Sequence, residues 1–77
     1  MNVRHLPTVE LRQQRELWQA CVRGEEPAES LEPWQRENLV AELVGRGWSD
    51  LQIALHTRMS LYTTVRIRRR LELAGAS

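Results

Sequence analysis

Lysine and phenylalanine are both absent from this chain of 77 residues, and cysteine occurs once. A single thiol, Cys21, excludes an internal disulfide and predicts a reducing, cytoplasmic setting. With His5 and His56 far apart and no second Cys, zinc-ligand spacing is missing too, so no metal is expected. No apolar run approaches the length of a bilayer span and no N-terminal signal pattern is present, so no membrane association is expected. Ser60 and Thr63 have no His or acidic partner placed to activate them. An enzyme is therefore not expected, nor a cofactor or small-molecule ligand. The length allows one domain with a small core. The three tryptophans, Trp18, Trp34 and Trp48, are the bulkiest material for it and are expected inside.

With lysine missing, all eleven basic side chains are arginine. Arginine makes bidentate contacts to phosphate and guanine that lysine cannot, which suits nucleic acid. A GC-rich genome produces the same bias, so the count alone decides nothing. Placement is more informative. Residues 1–57 carry six Arg against nine Asp or Glu, a balance of −3, whereas residues 58–77 carry five Arg against Glu72, a balance of +4. A net charge of +1 thus conceals a polarised molecule with a basic C-terminal element. Its acidic side would be repelled by a duplex and so help to orient the chain on it.

Met1–Pro7 reads as a loose arm. Thr8 can cap a helix over Val9–Arg23, on which Leu11, Gln14, Leu17, Trp18, Cys21 and Val22 recur at helical spacing as one apolar stripe. Gly24 ends it. Gly24–Glu32 holds four Glu and no basic residue, and reads as a linker rather than a structured element. Pro33 favours the first turn of a second helix, with Glu32 a weak cap; Arg36, Leu39, Val40, Leu43 and Val44 share a stripe until Gly45-Arg46-Gly47 stops it. These signals divide the chain into residues 1–32, an arm, helix and acidic linker, and residues 33–77, a second unit.

The most informative stretch is Trp48–Leu73. Ser49 and Gln52 have capping-box spacing, and Trp48 with Ile53 can close a hydrophobic staple, which predicts a short helix over Asp50–Thr57. Leu51, Ile53, Ala54 and Leu55 are its expected inward residues, and His56 reads as a surface residue. After Thr57-Arg58-Met59, Ser60 opens a fourth helix running from Leu61 to about Leu73. At one hundred degrees per residue, Ser60, Thr64, Ile67, Leu71 and Ala74 share one side of it. Tyr62, Val65 and Arg69 lie opposite, flanked by Leu61, Arg66, Glu72 and Leu73. A solvated face would not ordinarily present Leu61, Tyr62 and Val65 together, so this face needs a partner. Helix, short turn and helix is also the arrangement that lays a recognition helix in the DNA major groove.

From Asn38 onward the chain resembles bacterial tri-helical helix-turn-helix domains, the homeodomain-like modules of resolvases, transposases and small regulators, related in shape to the DNA-reading end of sigma factors. The residues that carry the resemblance are Gly45-Arg46-Gly47-Trp48-Ser49, Ile53-Ala54, Met59-Ser60, Thr63, Ile67 and Leu71. It covers roughly half of the chain and implies an all-α fold: a tri-helical helix-turn-helix core with an additional N-terminal helix and no wing. It also implies that Ser60, Leu61, Tyr62, Val65, Arg66 and Arg69 face the groove of double-stranded DNA. Arg66 and Arg69 would donate to guanine, and Val65 or Leu61 would meet a thymine methyl. Arg68 and Arg70, on the flanks, would meet phosphate, and Arg46 and Gln52 are further phosphate candidates. Three positions depart from the pattern. Thr57 replaces an apolar residue and Thr64 a Val, while Arg58 stands where Gly is usual. A left-handed backbone costs a non-glycine residue roughly 1 kcal/mol, so a reshaped turn is expected there.

The reading is a sequence-specific DNA-binding regulator of small bacterial, phage or mobile-element type, acting by operator occupancy. A homodimer through the Val9–Arg23 helix is expected, because that stripe exceeds what a surface helix needs. Two alternatives use the same residues. One is a protein-interaction adaptor or inhibitor docking a sigma factor or another regulator. The other is a DNA-architectural accessory factor in recombination or partition.

Overall fold

Two of the helix ends are closed by glycine in a left-handed conformation, and these closures set the path of the chain. The computed structural model describes residues 8–75, with side chains from Glu10 to Glu72. The arm at Met1–Pro7, the cap expected of Thr8, and the places of Leu73 and Ala74 on the last helix lie outside the described residues and side chains. The elements are α1 (Thr8–Val22), a 3-10 turn (Ala28–Ser30), α2 (Pro33–Gly45), α3 (Asp50–Thr57) and α4 (Leu61–Gly75). Among the described residues there is no strand, so the domain is all-helical. α2 packs on both α3 and α4, and α3 packs on α4.

Helix α1 ends at Gly24, φ +80°. The Glu25 N–H donates to Ala20 O at 2.8 Å and the Gly24 N–H to Cys21 O at 3.1 Å, the paired bonds of a Schellman motif. Helix α2 ends the same way at Gly47, φ +87°, with Trp48 N–H to Leu43 O at 3.1 Å and Gly47 N–H to Val44 O at 2.9 Å. At the head of α3 the expected capping box is present. The Ser49 N–H donates to Gln52 Oε1 at 2.8 Å, and the Gln52 N–H to Ser49 Oγ at 3.2 Å. Trp48 packs half-buried against the core that contains Ile53, as a staple requires. At the head of α2 the Glu32 N–H donates to Gln35 Oε1 at 3.2 Å.

The core is one cluster: Cys21, Ala28, Leu31, Leu39, Val40, Leu43, Ile53, Met59 and Ile67, with Leu17, Trp18, Val22, Val44, Trp48 and Leu71 packed against it. It runs across residue 32. The segment 24–32 is not an unstructured linker, because its turn carries Ala28 and Leu31 into the core. Arg36 Nε donates to Leu31 O at 3.1 Å and fixes the end of that turn to α2. Burial holds the Cys21 thiol above its ordinary pKa, with Glu26 adding to the effect.

Three expected core residues are placed otherwise. Trp34 is 63% exposed: it sits in the first turn of α2, while the side facing the core is filled by Leu39, Val40 and Leu43. On α3 the inward face is Ile53, Ala54 and Thr57. Leu51 and Leu55 lie outside it, about 60° and 100° past Ala54, and are 57% and 72% exposed. The N-terminal turns of α1 carry no buried residue from Glu10 to Glu16, so Leu11 is exposed.

His56 is not a surface residue. Its Nε2 lies 2.7 Å from the Val22 carbonyl, at the last turn of α1, and its ring stands edge-on to Trp48 with centroids 4.8 Å apart. Gly24 makes room for it: a Cβ there would come within 2.8 Å of the imidazole. Gly24→Ala should therefore lose about 1 kcal/mol to backbone strain and about 1 kcal/mol more through the displaced hydrogen bond. In a domain this small that lowers the melting temperature by roughly 10 °C. Gly47→Ala is the control, since its φ is equally positive but nothing lies within 4 Å of the added carbon. Equal melting temperatures for the two variants would refute the steric contact with His56.

Candidate nucleic-acid interface

Three residues, Arg58–Ser60, separate α3 from α4. Arg58 adopts the left-handed conformation, φ 61° and ψ 24°, so the turn is not reshaped and the strain is accepted. Thr57 helps to hold it. Its buried hydroxyl donates to Ile53 O at 2.7 Å and accepts from the Met59 N–H at 3.4 Å, serving an amide that an apolar side chain would leave bare. Thr64, also fully buried, donates to Ser60 O at 3.0 Å, which satisfies its hydroxyl inside the packing.

Ser60 caps α4. Its Oγ accepts from the Thr63 N–H at 3.0 Å and donates to Thr63 Oγ1 at 2.9 Å, so its hydroxyl is already engaged. Helical spacing then sorts the rest of α4 into three strips. Tyr62, Arg66 and Arg69 are exposed, Tyr62 at 76%, and occupy the face opposite buried Thr64 and Ile67. Leu61, Val65, Arg68 and Glu72 lie on the flank toward α3, with Leu61 48% exposed and Val65 half-buried. Arg70 lies on the flank toward α2.

The four arginines of this helix are therefore in different states. Arg68 is half-buried, with Nη1 2.9 Å from Asp50 Oδ1 at the head of α3 and Nε 3.2 Å from Glu72 Oε2. Its pKa is raised, first by the bond to Asp50 and that carboxylate's charge, then by Glu72. Arg70 pairs with Glu37 of α2. Arg66 and Arg69 form no ion pair with any described residue. An open groove lined by Asp50, Val65, Arg68, Arg69 and Glu72 joins the exposed strip to α3.

Of the residues expected to face DNA, then, Tyr62, Arg66 and Arg69 share one open face and Leu61 borders it. Val65 is partly covered, Ser60 is a cap, and Arg68 and Arg70 are engaged by carboxylates. Asp50 was not among the expected site residues. A carboxylate at the first position of a helix ordinarily signals only the helix dipole, and its partner lies 18 residues away. Arg46 pairs with Glu42 at 3.1 Å. Among the described residues no three His, Cys, Asp or Glu are grouped to hold a metal ion, and no described helix is long and apolar enough to cross a membrane. Comparison with protein-family models, curated proteins and solved structures finds no match to the chain.

Proposed function

We propose that the chain is a sequence-specific DNA-binding regulator of the tri-helical helix-turn-helix type, with α4 as its recognition helix and operator occupancy as its mode of action in the cytoplasm. The observation that carries this reading is the pair of exposed guanidinium groups, Arg66 and Arg69, beside exposed Tyr62 and Leu61 on one face of a helix whose other side is anchored by α2 and α3. Free arginines on such a face can donate in pairs to guanine O6 and N7, and Leu61 can meet a thymine methyl. Reading paired half-sites requires two copies. Among the described residues of the α1 stripe, Leu11 remains exposed for that pairing, while Leu17, Trp18, Cys21 and Val22 are packed in the chain's own core.

The test is selection of bound duplexes from a random pool, followed by affinity measured against salt. A recoverable consensus, bound with an affinity that falls as salt rises, supports the reading. A second reading, a protein-interaction adaptor, is favoured by one observation: Leu51 and Leu55 expose an apolar strip along α3. Weak, salt-insensitive DNA binding without a consensus would favour the adaptor.

A further inference from the structure

On α4 the arginines of the open face are free of described carboxylates, whereas those of both flanks are held by them. Flanking positions are where phosphate oxygens run past a helix seated in a groove, so the usual phosphate contacts are the ones withheld. We propose that Asp50 limits the sequence-independent affinity of this surface: it holds the Arg68 guanidinium against α3, off the phosphate backbone, and so keeps affinity for non-specific duplex low. The inference rests on the DNA-binding reading and adds to it how binding is limited.

Position, charge and shelter support it. Arg68 lines the same open groove as Arg69 and Val65, so once released it would lie beside any duplex that Arg69 meets. It is gripped from both sides, by Asp50 at 2.9 Å and Glu72 at 3.2 Å. A phosphate must therefore displace two carboxylates to recruit it. The Arg68 and Asp50 side chains are only 35% and 34% exposed, which shelters this bond from screening more than a fully solvated pair. Non-specific affinity grows with each phosphate neutralised, whereas base contacts supply discrimination. Withholding one arginine from phosphate lowers the sequence-independent share of the binding free energy, so that occupancy depends more heavily on the base contacts.

The experiment uses the full chain, a selected duplex and a random-sequence duplex, with affinities measured by fluorescence anisotropy across a salt series. Asp50→Asn should tighten binding to the random duplex and steepen the salt dependence by about 0.9 in log–log slope, an additional loss of roughly threefold between about 50 and 200 mM salt. The added slope should vanish when Arg68→Ala is combined with Asp50→Asn. Glu72→Gln, which releases the other side of the guanidinium, should shift binding in the same direction and serves if Asp50→Asn loses helicity. Wild-type binding that Asp50→Asn and Glu72→Gln leave unchanged would overturn the inference. So would a gain that persists without Arg68, which would mean simple relief of repulsion. Loss of affinity for the selected duplex alone would overturn it as well, making Asp50 a base reader. Failure of the wild-type chain to bind any duplex is a different result: it removes the DNA-binding reading, and this inference with it.

Discussion

Replacing both Arg66 and Arg69 by alanine is expected to abolish recognition of a selected duplex while leaving the fold intact. Each lost base contact costs roughly 1–3 kcal/mol, so the double variant should bind at least roughly 30-fold more weakly. The fold should survive because both side chains are exposed and neither pairs with a described carboxylate. Alanine also favours helix. Circular dichroism should show unchanged helicity, and anisotropy should show the loss on the selected duplex. Arg70→Ala provides the contrast, since Arg70 already has a partner in Glu37 and its loss should weaken binding far less. Equal affinity of the double variant and wild type for the selected duplex would remove α4 as the reading helix.

The helices were legible because their signals are local. Ser49 and Gln52 are three residues apart, Gly24 and Gly47 stop helices by their own backbone freedom, and the capping and stop positions agree with the observed boundaries to within a residue or two. The open face of α4 was legible for the same reason, since periodicity alone places Tyr62 and Arg69 opposite Thr64 and Ile67. What escaped is pairwise and distant. His56 meets the Val22 carbonyl across 34 residues, and only the missing Cβ of Gly24 admits it. Arg68 and Arg70 find carboxylates on α3 and α2, and no spacing rule links positions 50 and 68 or 37 and 70. The turn at Arg58 keeps its left-handed form because a strain of roughly 1 kcal/mol is small beside the burial of Ile53 before it and Met59 after it. The acidic segment reads as a linker because its four glutamates mask two core residues, Ala28 and Leu31.

Trp18→Glu is expected to unfold the domain rather than to release a folded monomer. The apolar stripe of α1 suggests a dimer seam, but Leu17, Trp18, Cys21 and Val22 pack in the chain's own core, against a cluster that includes Leu39 and Leu43. Losing the indole from a half-buried site forfeits a large share of the roughly 3–5 kcal/mol that a buried aromatic contributes. The carboxylate that replaces it must either stay charged in apolar surroundings or pull the last turns of α1 away from the body. That movement would break the His56 contact to Val22 and uncover Cys21, whose thiol is otherwise fully buried. Against the few kcal/mol of net stability typical of a chain this short, such a loss removes most of the folded population. Circular dichroism should show reduced helicity at 25 °C, and Cys21 should become reactive toward a thiol reagent. Leu11→Glu, on the exposed end of the same helix, should leave helicity and thiol protection intact. Sedimentation decides between the alternatives: a Trp18→Glu protein that keeps full helicity, protects Cys21 and falls from dimer to monomer would show that α1 serves a second copy rather than its own chain.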